Sequence, residues 1–487
     1  MVESPAPMEI LSVATELAPF VKVGGLADVT AALSKALRGL GHQVTLILPR
    51  FPGFEEGGLL VARRLTPVKF SLGDRAFEAT VFDGRLASQV DLVLVDVPGM
   101  FDRPGVYGER GEDYPDNALR FATFSRAVAE LIKHRQIAGA AADIVHLHDW
   151  PSSLVATYLA EMKGGEVHIP KTVLTVHNVA HQGVFPKESF ADLGLPQKAF
   201  GIDGVEFYGK VNVLKQGILS ADAVTTVSST YAREIQSKEG GHGLEGVLRA
   251  RGSKLVGIVN GVDYAVWNPT TDTAIAARYD AEDITPRLRC RGSLLKNLGL
   301  PVSDESPIVS FVGRLVPQKG IDLLVSAIPR LLRGTDAQFV IAGDGDAAIV
   351  RSIEALVAKS HGRVLFARSA SEALVHQMFA GSDLVCVPSR NEPCGLVQLY
   401  AQRYGAVPVA HGTGGLVDTV VDCDSKLETG TGFLFDGESE QELVAAIERA
   451  LAARATSAWP ALVRRVMRLD RGWDRPARQY EQVFRSV

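Results

Sequence analysis

Residues 307–332 read Pro307-Ile-Val-Ser-Phe-Val312, then Gly313-Arg314-Leu315-Val316-Pro317-Gln318-Lys319-Gly320, then Ile321-Asp-Leu-Leu-Val-Ser-Ala-Ile-Pro-Arg-Leu-Leu332. The first part is a nearly continuous apolar run, the pattern of a strand covered on both faces. The last part fits a helix over 320–332. Between them lies a loop bounded by glycines, with two cations five residues apart. A strand, a short polar loop and a helix form the repeating unit of a parallel α/β sheet.

The same alternation runs outward in both directions. Strands are predicted at 9–14, 43–48, 91–97, 143–147, 172–176, 223–227 and 255–259, and again at 307–312, 338–342, 363–366, 383–387, 407–410 and 432–435. Helices are predicted at 25–40, 117–134, 320–332, 371–380, 394–404 and 441–453. The strand series pauses between Trp267 and Glu305, where the turn signals Asn268-Pro-Thr-Thr-Asp272 and Asp283-Ile-Thr-Pro286 cluster. The reading is α/β, with two Rossmann-like doubly wound domains, 1–267 and 268–470. A helical tail, 471–487, is expected to pack back on the first domain. In open sheets of this kind, ligands gather beyond the carboxyl ends of the strands, which makes the cleft between the domains the expected site.

Composition narrows the function. The 487 residues carry 51 Lys and Arg against 56 Asp and Glu, for a net charge of −5. No dense basic run appears, which argues against nucleic acid as a partner. Hydrophobic residues make up 46% and charged residues 22%, as in a globular chain. Four cysteines, Cys290, Cys386, Cys394 and Cys423, form neither a disulfide framework nor a zinc signature. Neither a signal peptide nor a membrane span is indicated, so the expectation is a cytoplasmic protein without a membrane partner.

Four glycine-bearing loops follow strands. In Lys22-Val23-Gly24-Gly25-Leu26-Ala27-Asp28, two glycines open backbone N–H groups to an anion at a helix start, and Lys22 adds a charge. A βα turn that merely needs glycine is the plainer alternative. In the loop from Gly313 to Gly320, Arg314 offers a planar fork and Lys319 a point charge, suited to a diphosphate, against two solvated cations. The run Arg390-Asn391-Glu392-Pro393-Cys394-Gly395-Leu396 opens a predicted helix. The amides of Cys394, Gly395 and Leu396 are expected to point outward there, with Glu392 either a functional carboxylate or a helix-dipole partner. Gly412-Thr413-Gly414-Gly415 repeats the cradle. The first domain adds His146-Leu147-His148-Asp149-Trp150, His177-Asn178 and His181 near strand ends. These could hold a metal in a hydrolase or, more commonly, hydrogen-bond near a cleft.

Taken in order, these motifs resemble the starch and glycogen synthase family, nearly end to end. The marks are Lys-x-Gly-Gly-Leu-Ala-Asp-Val from Lys22, His-Asp-Trp at 148–150, Thr-Val-His-Asn at 175–178 and Val-Asn-Gly-Val-Asp at 259–263. Gly-Arg-Leu-x-x-Gln-Lys-Gly at 313–320 and Glu-Pro-Cys-Gly-Leu at 392–396 complete the set. The resemblance implies a GT-B fold and retaining transfer of glucose from ADP-glucose to the non-reducing 4-OH of an α-1,4-glucan such as glycogen, with no cofactor and no metal. It implies that Arg314 and Lys319 clamp the diphosphate, helped by Cys394, Gly395 and Leu396, while Lys22, Gly24 and Gly25 reach the donor from the first domain. Glu392 matches the family's essential carboxylate; His177, Asn178 and Asn260 match sugar and transition-state contacts. Asp28, Tyr114, Asp149 and Trp150 match the acceptor side, with Trp150 as a flat platform for a pyranose ring.

Departures from the family pattern are Asn391, Val397, His181 and Pro151-Ser152. They bear on donor base and acceptor length, and none removes a charge that the reaction uses. Two routes to retention stay open on these residues, with Glu392 as nucleophile or with acceptor attack from the leaving-group face. A UDP-glucose transferase, a metal-dependent hydrolase on His146, His148 and Asp149, and a glucan-binding protein without catalysis are the competing readings. The motifs carry no signature of an oligomeric state.

Overall fold

A computed structural model describes residues 6–109, 111–163, 168–300 and 305–487. The chain divides into two compact units, Met1–Gly261 with Trp473–Val487, and Val262–Gly472. The sequence expectation put the boundaries at 267/268 and 470/471. The crossing falls at Gly261/Val262 because Val262 bridges to Gly472, and its N–H donates to the Arg471 carbonyl at 2.7 Å. Val262 and Trp267 are buried in the core of the second unit.

The first unit is built on β1 (Glu9–Val13), β2 (Gln43–Pro49), β3 (Val61–Arg63), β4 (Val68–Leu72), β5 (Arg75–Arg85) and β6 (Asp91–Asp96). It continues with β7 (Ile144–His148), β8 (Lys171–Val176), β9 (Ala223–Thr226) and β10 (Leu255–Gly257). Their order is β10-β9-β8-β7-β1-β2-β6-β5-β3, with β4 paired to β5. β1 runs parallel to both β2 and β7, with Ile10 opposite Val44 on one side and Ile144 on the other. All five residues of β7 are buried, which its apolar reading required. The second unit holds β11 (Ile308–Val312), β12 (Gln338–Ala342), β13 (Val364–Ala367), β14 (Leu384–Val387), β15 (Val407–His411) and β16 (Phe433–Phe435). Their order, β13-β12-β11-β14-β15-β16, is wholly parallel.

Strand order reverses direction at β1/β7 in one unit and at β11/β14 in the other. These are the topological switch points, where crossovers leave to opposite faces and open a crevice. Helix Ile321–Gly334 follows β11 and buries Ile321, Leu324, Ala327, Ile328 and Leu331, one apolar stripe at helical spacing. Helix Asp474–Ser486 returns to the first unit.

Several elements lie outside the sequence reading. β3, β4 and β5 form an antiparallel flank; Phe77, Ala79 and Val81 do alternate along β5, but Ala76 and Phe82 at the two ends of this run break the period. Short strands at Val184–Phe185, Glu206–Phe207 and Lys210–Asn212 make a small separate sheet. Helices Asp149–Glu161 and Arg287–Leu298 were also unforeseen. The helix predicted from Cys394 starts at Val397, because Gly395 takes a left-handed φ of 71° and makes Cys394–Leu396 a turn.

Gly320 is one position in the second unit that only glycine fits without strain. Its φ is 64°, and a Cβ there would overlap the Pro388 carbonyl oxygen. Gly320→Ala should therefore cost about 1–3 kcal/mol of unfolding free energy, whereas Gly334→Ala, in open space, should be neutral or slightly stabilising. Urea unfolding of the two variants checks this.

Candidate active site

In the first unit, β1 leads into the loop that ends at Gly24, ahead of helix Gly25–Gly39. Glu16, only 4% exposed, organises it. One carboxylate oxygen accepts the Val23 and Gly24 amides, each at 2.8 Å, and the other accepts the Tyr107 hydroxyl at 2.9 Å. Thr15 lies 2.8 Å from the same hydroxyl. Burial pushes the Glu16 carboxyl up, and these donors pull it back. Burial, with Glu16 close by, pushes the Tyr107 hydroxyl well up. The expectation that the Gly24 amide faces a ligand is thus corrected, since that amide is committed to Glu16. The Lys22 ammonium of the same loop lies 2.8 Å from Asp28. Neither Glu16 nor Tyr107 was singled out from sequence; a lone Glu ahead of the glycine pair was the available signal.

Tyr114 is half-buried, its ring flanked by the guanidinium groups of Arg103 (4.9 Å) and Arg120 (4.8 Å). Its hydroxyl accepts the Gly105 amide at 3.3 Å. The ring braces this loop, and Tyr107 is the tyrosine that joins the Glu16 network.

β7 and β8 deliver the histidines. Asp149, the residue after β7, has a left-handed φ of 55°, a conformation that Asp tolerates better than most side chains. Its carboxylate accepts the His177 amide at 2.7 Å and is also reached by the Asn178 amide. Burial dominates over these bonds and pushes the Asp149 carboxyl up to about 7. His148 Nδ1 lies 2.9 Å from His177 Nε2, and His148 Nε2 lies 3.1 Å from Ser12 Oγ. His146 Nε2 lies 2.7 Å from Thr175 Oγ1. Burial pushes His146 and His177 down to about 3 and His148 well down, so the array is neutral. Asn178 Oδ1 accepts the Ala180 amide at 3.0 Å, closing a turn. Trp150 meets Phe121 and Phe185 edge-on at 4.9 and 5.6 Å, and a Cβ at Gly183 would overlap its ring. Trp150 is thus half-buried, held on its packed side by these groups. Asn260 is 6% exposed, and its Oδ1 has no partner among the described residues.

His146 is engaged with Thr175, His148 with Ser12 and the His177 ring, and Asp149 with the amides of His177 and Asn178. Among the described residues, no group of three or more His, Cys, Asp or Glu is arranged to hold a metal.

In the second unit, Lys319 and Glu392 meet. The ammonium lies 2.5 Å from Glu392 Oε2, which also accepts the Ser389 hydroxyl at 2.9 Å. Glu392 is 7% exposed, and its carbonyl accepts the Gly415 amide from the fourth glycine loop at 3.0 Å. The two loops are tied together further: the Arg390 amide donates to Gln318 O at 2.9 Å, and the Arg390 guanidinium grips Asp322 at 2.8 and 2.7 Å. Arg314 is exposed, and its side chain bonds to none of the described residues. Cys394 is buried, and the Gln398 amide reaches the carbonyls of Cys394 and Gly395 at 3.0 and 2.9 Å. Leu396 caps the helix that starts at Val397.

Each of the two wound sheets carries charged loops at its switch point, and comparison with known proteins gives this fold as that of the GT-B glycosyltransferases. The starch synthase catalytic domain family matches residues 9–250, and the glycosyl transferases group 1 family matches residues 299–458. Glycogen synthases of Geotalea daltonii and of an Anaeromyxobacter species are 40% and 42% identical to the chain, over 99% of each pair of sequences. The catalytic domain of starch synthase IV from Arabidopsis thaliana, bound to ADP and acarbose, superimposes with a TM-score of 0.89 at 33% identity over 99% of both chains. Sucrose-phosphate synthase from Thermosynechococcus elongatus shares the fold, with a TM-score of 0.61 and 19% identity over 98% of both. The chain belongs to the glycogen synthase family. No helix among the described residues is long and apolar enough to cross a membrane.

The raised carboxyl of Asp149 has a measurable sign. Between its ordinary value of 3.8 and about 7, the folded chain holds a proton that the unfolded chain has lost. This contribution to stability is therefore complete below about pH 4 and is lost as pH rises through 7. Asp149→Asn keeps an oxygen for the His177 amide and removes the titration. Its thermal midpoint, relative to the unmodified protein, should climb from pH 4 to pH 8, and a flat difference across that range would refute the assignment.

Proposed function

We propose that the chain is a cytoplasmic enzyme transferring glucose from ADP-glucose to the non-reducing 4-OH of an α-1,4-glucan with retention, releasing ADP. The glycogen synthase relatives and the ADP and acarbose held by the Arabidopsis enzyme support this reading. The observation that carries it is the Lys319–Glu392 pair at 2.5 Å, with the exposed cation Arg314 in the same loop as Lys319.

The anomeric C–O bond breaks with its electron pair leaving on ADP, while the acceptor oxygen bonds to the same carbon from the leaving-group face and passes its proton to an oxygen of the departing diphosphate. Charge grows on the departing diphosphate, where Arg314 and Lys319 stabilise it more in the transition state than in the ground state. With these cations in place, the leaving group does not require a metal. Glu392, next to Lys319, is assigned to the positive charge that develops on the sugar. His177, neutral across the working pH range, with Asn178 and Asn260, is assigned to sugar oxygens. Lys22 and the Gly25 end of its helix are assigned to the donor; Asp28, Tyr114, Asp149 and Trp150 are assigned to the acceptor side.

Nucleoside diphosphate release should depend on glycogen, prefer ADP-glucose over UDP-glucose and persist in EDTA. Release with UDP-glucose alone would keep the fold and reaction but replace the donor. Glu392→Ala should lower turnover by at least about 100-fold. ADP affinity should hold or rise, because the substitution frees Lys319 for the diphosphate. Lys319→Ala should weaken ADP binding and slow transfer together. Steady-state kinetics with ADP titration calorimetry check both, and near-normal turnover of Glu392→Ala would reject its catalytic role.

A further inference from the structure

The mechanism uses His177 but not the groups behind it. His148 is fully buried, at 0% exposure, and stacks on His177 with ring centroids 5.2 Å apart and planes 26° apart. Beyond it, His146 lies 4.2 Å from His148, and Tyr480 and Phe484 of the returning C-terminal helix close the back at 5.3 and 5.2 Å from His146. Hydrogen bonds then run in one line, Ser12 Oγ to His148 Nε2 at 3.1 Å and His148 Nδ1 to His177 Nε2 at 2.9 Å.

We infer that His148, anchored by Ser12, is a positioning residue that holds His177 in the tautomer with its proton on Nδ1, so that the ring presents a donor to an oxygen of the transferred sugar. This rests on the reading of His177 as a sugar contact. A neutral imidazole has one N–H and one bare nitrogen, so the line admits only two consistent proton arrangements. In one, the Ser12 hydroxyl donates to His148 Nε2, His148 Nδ1–H donates to His177 Nε2, and His177 keeps its proton on Nδ1. In the other, every bond is reversed, and the buried Ser12 hydroxyl has no acceptor among the described residues, because His148 is its only side-chain partner. An unmet buried donor costs more than an unmet lone pair. The first arrangement therefore prevails. The same count settles His146, whose Nε2–H donates to Thr175 and whose buried Nδ1 is left bare.

The test compares His148→Asn with His148→Gln. Asn puts its carboxamide where Nδ1 lies and keeps the bond to His177; Gln puts it where Nε2 lies and keeps only the bond to Ser12. Glycogen-dependent ADP release is measured for both variants and for His177→Ala, with ADP affinity and thermal midpoints alongside. Expected are a His148→Asn turnover within about fivefold of the unmodified enzyme and a loss of about 10–100-fold for His148→Gln, approaching His177→Ala, with ADP affinity unchanged. Equal losses in Asn and Gln, equal retention, or the reverse order would overturn the proposal while leaving the His177 reading intact. Near-normal turnover of His177→Ala would instead remove the reading on which it rests. Should the variants fail to fold, ¹⁵N-histidine spectra of the unmodified protein decide directly, because a bare His177 Nδ1 overturns the assignment and a protonated one supports it.

Discussion

A buried parallel strand must have both backbone edges paired, and neighbours running the same way end at the same edge of the sheet. That constraint governs this molecule. With β1 between β2 and β7, and β11 between β12 and β14, the strands of each parallel core point their carboxyl ends toward one rim of their own sheet. The backbone is satisfied along each strand and released just beyond it, so the loops after β1, β7, β8, β11, β14 and β15 carry the polar chemistry. Glu16, Asp149, His177, Lys319, Glu392 and Gly415 all lie within a few residues of such ends or open the following helix. None of them needs a dedicated scaffold.

Burying a carboxylate requires donors, and the two units meet that demand differently. Glu16 is held by two backbone amides and a tyrosine hydroxyl, groups that cannot leave without remaking the loop. It fixes the shape of the glycine turn from within. Glu392 is held by a serine hydroxyl and by the flexible ammonium of Lys319. That cation can exchange its partner for a phosphate oxygen without disturbing the backbone. A carboxylate fixed by backbone is architecture, whereas one fixed by a long side chain can take part in a reaction. The distinction explains why two equally buried glutamates receive different roles.

The departures from the family pattern fall where the structure tolerates them. Asn391 contributes its carbonyl, which accepts the Gln318 side chain, and Val397 is the first residue of its helix. The loop geometry rests on main-chain bonds that side-chain identity at these two positions does not alter.

Alternating apolar runs and helical stripes, glycines after strands and cations within loops were all legible in the chain, because each is a local property of a few consecutive residues. The edge strands β3 to β5 escaped because β3 is only three residues long and Ala76 and Phe82 interrupt the alternation of β5, and the start of helix Val397–Arg403 escaped because Gly395 bends away first. What no local pattern contains is which donor meets which acceptor. Lys319 finds Glu392 across 73 residues, Glu16 finds Tyr107 across 91, and His148 finds His177 across 29. By itself the sequence determined the strands, the helices and the loops that bear charge. Only the tertiary structure decided that the Gly24 amide serves Glu16, that Trp150 packs against Phe121 and Phe185 and that a histidine stands behind a histidine, because strand order, not spacing along the chain, brings those atoms together.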